Sequence, residues 1–169
     1  YHYQLGYAVS GAGDFDADGL LDVAIGAPNY NPGGIEDNHE NGAVFLVYGN
    51  QLNTDSTTLD LSAKNFNGVV VMGHHDAKIG NSIARVGDIN ADGFDDLAFG
   101  SNTANAGYIL FGQSNFRRLL PLTDLRNDGV RIANTGFTVD SAGDFNGDFL
   151  QDVVFGNPFA EKVTANKKE

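Results

Sequence analysis

The chain has 169 residues, 41% of them hydrophobic, with 22 Gly, 12 Phe, one Met, no Cys or Trp, and a formal charge of −12. That composition excludes a disordered chain, a disulfide framework and thiol catalysis, and it favours many short strands joined by tight turns over a helical bundle. The negative charge excludes nucleic acid and anionic membrane as partners, since phosphates would be repelled, and points instead to bound cations. No run reaches the roughly 20 apolar residues that span a bilayer, so membrane insertion is not expected. The chain opens at Tyr1 with no signal-like stretch, which reads as an excised or processed piece.

Residues 6–14 (GYAVSGAGD) form the first predicted strand, light in bulk as a crowded central position requires. An acidic loop at 14–22 follows, then a second strand at 21–26 (LDVAIG), a third at 42–49 (GAVFLVYG) and a fourth at 68–73 (GVVVMG). The same grammar restarts at 80–88 (GNSIARVGD), 74 residues after Gly6, and runs through strands at 95–100, 107–112 and 129–134. It restarts again at 136–144 (GFTVDSAGD) and reaches a second strand at 151–156 (QDVVFG) before the repeat breaks off. Four strands per repeat of about 60 residues make a propeller blade, whose faces are buried only against neighbouring blades. The expected fold is therefore all-β, with propeller blades of four antiparallel strands and about two and a half blades present. Blade one spans about 5–73, blade two about 79–134 and a partial third about 135–159. All three belong to one domain at 1–159, followed by a polar tail at 160–169 that is expected to be disordered. Propellers close with about four to eight blades, so the expectation is a missing remainder or self-association that completes a ring.

The three loops between first and second strands share one acidic pattern. Loop one offers Asp14, Asp16, Asp18 and Asp22 at positions 1, 3, 5 and 9, with Gly19 at position 6 and the backbone carbonyl of Leu20 at position 7. Loop two repeats the set as Asp88, Asn90, Asp92, Phe94 and Asp96, and loop three as Asp144, Asn146, Asp148, Leu150 and Asp152. Alternate residues of a tightly curled loop point inward, and carboxylates packed this closely repel unless a divalent cation lies among them. An oxygen-rich, flexible cage suits calcium better than magnesium, so up to three Ca²⁺ ions are expected. An EF-hand would place a bidentate Glu at position 12; here that position is Ile25, Phe99 and Phe155, each inside an apolar strand. Loop three departs at position 6, where Phe149 replaces glycine, and the strain of a bulky residue at positive φ predicts a distorted or weaker site.

The chain resembles the FG-GAP repeats of integrin alpha chains and their bacterial relatives, through Leu5-Gly6, Ile79-Gly80 and Thr135-Gly136 at the repeat starts and Gly26-Ala27-Pro28 after the second strand. The later copies read Gly100-Ser101-Asn102 and Gly156-Asn157-Pro158, so only the first is intact. The resemblance implies calcium ligation by the loop residues named above, calcium on the lower face of a propeller, and partner binding on the opposite face.

That opposite face would carry the connections at 29–41, about eleven residues longer than the counterpart after Gly100, and at 74–78, which has no counterpart before Gly136. Enlarged loops on a rigid scaffold are common recognition sites, and Tyr30, His39 and His75 are the candidate contacts. His74, His75, Asp76, His39 and Glu40 are read as solvated loop residues rather than a zinc or catalytic site, because neighbouring histidines on a loop can point apart and no nucleophile–base pairing is evident. The expected function is non-catalytic: a calcium-binding module for cell adhesion or for protein or glycan recognition, extracellular or at the cell surface. The alternatives are an accessory propeller of a secreted, phospholipase-D-like enzyme and a lectin-like self-assembling fragment.

Overall fold

The computed structural model describes residues 3–32, 39–52, 58–61, 66–101 and 103–159. The predicted tail at 160–169 lies outside the described residues, as does part of the connection at 29–41. The chain is all-β, built of antiparallel blades, with a four-residue α-helix and a three-residue 3-10 turn (Leu122–Asp124) as the helical elements among the described residues.

The first sheet contains β1 (Val9–Gly13), β2 (Asp22–Ala27), β3 (Ala43–Val47) and β4 (Gly68–Met72), paired in sequence order and antiparallel. A helix, α1 (Gly49–Leu52), lies between β3 and β4. The second sheet is β5 (Ile79–Gly87), β6 (Asp96–Ser101), β7 (Ala106–Leu110) and, after the short β8 (Leu119–Pro121), β9 (Gly129–Ala133). A hairpin of β10 (Thr138–Gly143) and β11 (Asp152–Gly156) begins a third sheet. These are two complete blades and the inner half of another.

Period-two alternation explains why the sheets stack. In β3, Val44 and Leu46 face the cluster shared with the second sheet, whereas Ala43, Phe45 and Val47 face the other side. In β6 and β7, Leu97, Phe99, Tyr108 and Leu110 face the first sheet, whereas Ala98 and Ile109 join Val139, Val153 and Phe155 toward the third. Both faces of β3, β6 and β7 are apolar, as strands covered on both sides require. Glycine sets the spacing at the inner edge. A Cβ on Gly26 would fall 2.0 Å from the Gly80 carbonyl oxygen, and one on Gly100 would fall 2.1 Å from that of Gly136. Gly26 and Gly100, next to last in β2 and β6, thus let the next blade approach backbone to backbone.

One strand was not expected from the sequence. β8, in the connection between the third and fourth strands of blade two, pairs in parallel with β4 and covers the outer edge of blade one, burying Leu120 fully. A three-residue segment containing proline carries no periodicity of its own, so only the neighbouring edge makes it a strand.

Candidate metal loops and the opposite face

The three acidic loops fold into one hydrogen-bond ladder. In loop one the Gly19 N–H donates to Asp14 Oδ2 at 3.1 Å, Asp18 N–H to Asp16 Oδ1 at 3.2 Å, and Leu20 N–H to Asp18 Oδ1 at 2.8 Å. Loop two repeats these bonds as Gly93 to Asp88, Asp92 to Asn90 and Phe94 to Asp92, at 2.9 to 3.1 Å. Loop three repeats them as Phe149 to Asp144, Asp148 to Asn146 and Leu150 to Asp148, at 2.8 to 2.9 Å. Each loop places positions 4 and 6 at positive φ: Ala17 and Gly19, Ala91 and Gly93, Gly147 and Phe149.

Phe149 therefore does not distort the ladder. It adopts a φ of 71°, and the glycine has moved to position 4, where the other loops carry alanine. Every loop holds one non-glycine residue in the left-handed region; in loop three it is the bulkiest.

Asp14, Asp16 and Asp18 bring carboxylate oxygens within 4.8 Å of one another. Burial, with the charges of Asp18 and Asp14 beside it, raises the Asp16 carboxyl above its usual range. Asp14 Oδ1 is buried and has no hydrogen-bond partner. An unpartnered buried carboxylate oxygen beside two further carboxylates fits a hard divalent cation, which would satisfy the oxygen and relieve the repulsion. The Asn side chains fit the same geometry. Asn90 Nδ2 donates to Asp92 at 2.9 Å and Asn146 Nδ2 to Asp148 at 3.0 Å, turning the amide nitrogen onto a neighbouring carboxylate. In loop one, where Asp16 cannot donate, Asn50 of α1 supplies the equivalent bond to Asp18 at 3.0 Å.

The position-9 residues close the loops. Asp22 is 1% exposed and accepts the N–H groups of Phe15 and Gly49, both at 2.8 Å. Asp96 is fully buried and accepts those of Ile89 and Gly112, both at 2.9 Å. Burial pushes each carboxyl up to about 6, against the lowering effect of those bonds. Asp152 is only half-buried and accepts from Phe145 at 2.8 Å and Asn146 at 3.3 Å, with no third-strand partner among the described residues.

One further acidic residue, outside the ligand pattern, joins the loops. Asp95, at position 8 of loop two, accepts the Asp14 N–H at 2.8 Å and pairs with Arg85 at 3.0 Å, tying loop one to the next blade. Its carboxylate presses against Gly13, where a Cβ would meet Asp95 Oδ2 at 2.1 Å. The available signal was the extra carboxylate of the Asp95-Asp96 pair, since the same position is Leu21 and Gln151 elsewhere.

At the other end of the strands, Tyr30 packs its ring on Tyr3 (5.4 Å between centroids) and Phe45 (5.6 Å), within the outer apolar cluster of blade one. His39 and His75 meet instead, their ring centroids 3.2 Å apart and both Nδ1 atoms against Asp76. These two residues converge because antiparallel strands bring the 2–3 and 4–1 connections to the same end of the blades. His74 does turn away, with Nδ1 3.3 Å from the His75 carbonyl oxygen.

Residues 5–47 match the family described as FG-GAP repeat. The chain is 35% identical over 166 residues to bovine phosphatidylinositol-glycan-specific phospholipase D, covering 93% of this chain and 19% of that protein. It is 31% identical over 168 residues to Drosophila melanogaster integrin alpha-PS5, covering 94% of this chain and 15% of the relative, and 30% identical over 146 residues to mouse integrin alpha-7, covering 85% and 11%. The chain thus spans about a fifth of the phospholipase's length and less of the integrin chains. The chain thus carries an FG-GAP repeat at 5–47 and is similar over most of its length to integrin alpha chains and to phosphatidylinositol-glycan-specific phospholipase D.

Proposed function

We propose that this chain is a calcium-binding, non-catalytic propeller module that recognises an extracellular protein or glycan through the loops opposite its acidic ladders. The observation that carries the calcium reading is the buried, unpartnered Asp14 Oδ1 inside a ladder built three times over. The ligands would be Asp14, Asp16, Asp18 and Asp22, Asp88, Asn90, Asp92 and Asp96, and Asp144, Asn146, Asp148 and Asp152, with the backbone carbonyls of Leu20, Phe94 and Leu150. Bound calcium supplies charge neutralisation: three ions would halve the formal charge of −12. The residues themselves fix the turn between first and second strands and hold it against the next blade.

Residues 1–159 would form one domain that works outside the cell or at its surface, a reading supported by the similarity to integrin alpha chains. Among the described residues no helix is long and apolar enough to cross a membrane. His39 and His75, at the end away from the acidic loops, are the contacts to substitute first; Tyr30 contributes through packing. A second reading, an accessory module of a secreted phospholipase-like enzyme, is favoured by the similarity to phosphatidylinositol-glycan-specific phospholipase D along 93% of the chain. Self-association that completes a ring is tested by sedimentation.

Thermal melting with calcium and with chelator tests the central claim. Calcium at a hundredfold excess over its dissociation constant should stabilise the fold by about 2.7 kcal/mol per site. A melting temperature that chelator leaves unchanged refutes it.

A further inference from the structure

His39, His75 and Asp76 lie outside the acidic ladders and offer nitrogen as well as oxygen. They come from two connections, yet their ligand atoms lie within 4.8 Å of one another. Asp76 Oδ2 is 3.3 Å from His39 Nδ1 and 3.2 Å from His75 Nδ1. Charge-assisted N–H···O bonds close to about 2.7–2.9 Å, so these separations are long for a charge-assisted bond. Two donors that each stand about 2.0–2.1 Å from a tetrahedral zinc ion are about 3.3–3.4 Å apart. The observed separations match that edge.

The frame around the cluster is built rather than loose. The Glu40 N–H donates to Asp76 Oδ1 at 3.1 Å, which aims Oδ2 at the two rings and plays the orienting part that outer-shell bonds play at metal centres. Lys78 N–H donates to the Glu40 carbonyl at 3.2 Å, Ala77 N–H to the His74 carbonyl at 3.0 Å, and Lys78 pairs with the Glu40 side chain. Thr103 Oγ1 donates to the Asp76 carbonyl and Ser101 Oγ to that of Ala77, anchoring the 74–78 connection on blade two. Imidazole nitrogen selects zinc, copper or nickel over calcium, whereas the all-oxygen ladders do the reverse.

We propose that His39, His75 and Asp76 form a separate metal site for a divalent transition ion of the zinc class, at the end of the blades opposite the acidic loops. His75 and Asp76 are more than half exposed, at 63% and 53% of their side-chain surface. A fourth coordination position therefore opens to solvent, for water or for a donor atom of a bound partner. The site does not depend on the calcium reading, since it shares no residue with the ladders.

The test is calorimetric titration of the 169-residue chain with zinc chloride in saturating calcium, which keeps the acidic loops occupied by the more abundant ion. The expected result is one zinc per chain. His39→Ala and His75→Ala should each weaken zinc binding at least tenfold, while Asp140→Ala, at an exposed position of β10, leaves it unchanged. Cobalt(II) added in place of zinc should give the intense visible absorption of a low-coordinate centre, lost in the His39→Ala/His75→Ala double variant. Melting curves establish that the variants fold. Absence of zinc binding to the folded wild-type chain, or zinc affinity unaltered in the folded double variant, overturns the proposal.

Discussion

Phe15 and Phe145 occupy the same second position in loops one and three, yet Phe15 is fully buried and Phe145 is 87% exposed. Both donate their backbone N–H to the position-9 carboxylate at 2.8 Å, so the local fold is the same. What differs is the neighbour. Phe15 packs on Phe116 of blade two, 5.7 Å between ring centroids, and joins the core between the first two sheets. Ile89, at the corresponding place in loop two, is half-buried against the cluster that faces the third sheet. The loop is thus a local structure, and its burial is a property of blade contacts.

The widest test of that difference is to remove the aromatic ring from each loop. Phe15→Ala should cost about 3–5 kcal/mol, as large-to-small changes at fully packed aromatic sites do, while Phe145→Ala should stay within about 0.5 kcal/mol. Urea unfolding measures both, and equal losses would mean that the loops rather than the blade contacts set the packing.

A smaller effect separates the carboxylates that close the loops. Asp96→Ala leaves the buried N–H groups of Ile89 and Gly112 unpaired and should cost about 2–4 kcal/mol, whereas water can replace Asp152 and the loss there should be under about 1 kcal/mol. The same contrast gives a pH signature. The folded state holds the protons of Asp22 and Asp96, at about 6, more tightly than the unfolded chain does near 3.8. Without calcium, their contribution to stability is therefore greatest below about pH 4 and is lost as pH rises through about 6. Calcium requires the ionised form and should abolish this loss. Unfolding midpoints between pH 4 and 7, with and without calcium, measure it.

The smallest effect concerns strain. Phe149→Gly should stabilise loop three by about 1 kcal/mol by releasing a bulky side chain from the left-handed region, and it should tighten the third calcium site several-fold in a titration. An unchanged third site would mean that Gly147 already compensates for the phenylalanine.

The sequence by itself determined the repeat, the strands and the loop ladder, because these rest on interactions within about ten residues. Period-two alternation, glycines at turns and Asx side chains that bond to amides two to five residues on all lie within one stretch of chain. The extra strand β8, the tie from Asp95 to loop one, and the meeting of His39 with His75 and Asp76 were decided only by the tertiary structure. Each joins residues 36 or more positions apart, and whether such side chains converge depends on how one sheet stacks on the next and which strand end each connection shares. Asp22 and Asp152 show both influences at once. Their place in the ladder follows from spacing, but their unequal burial follows from what lies against them.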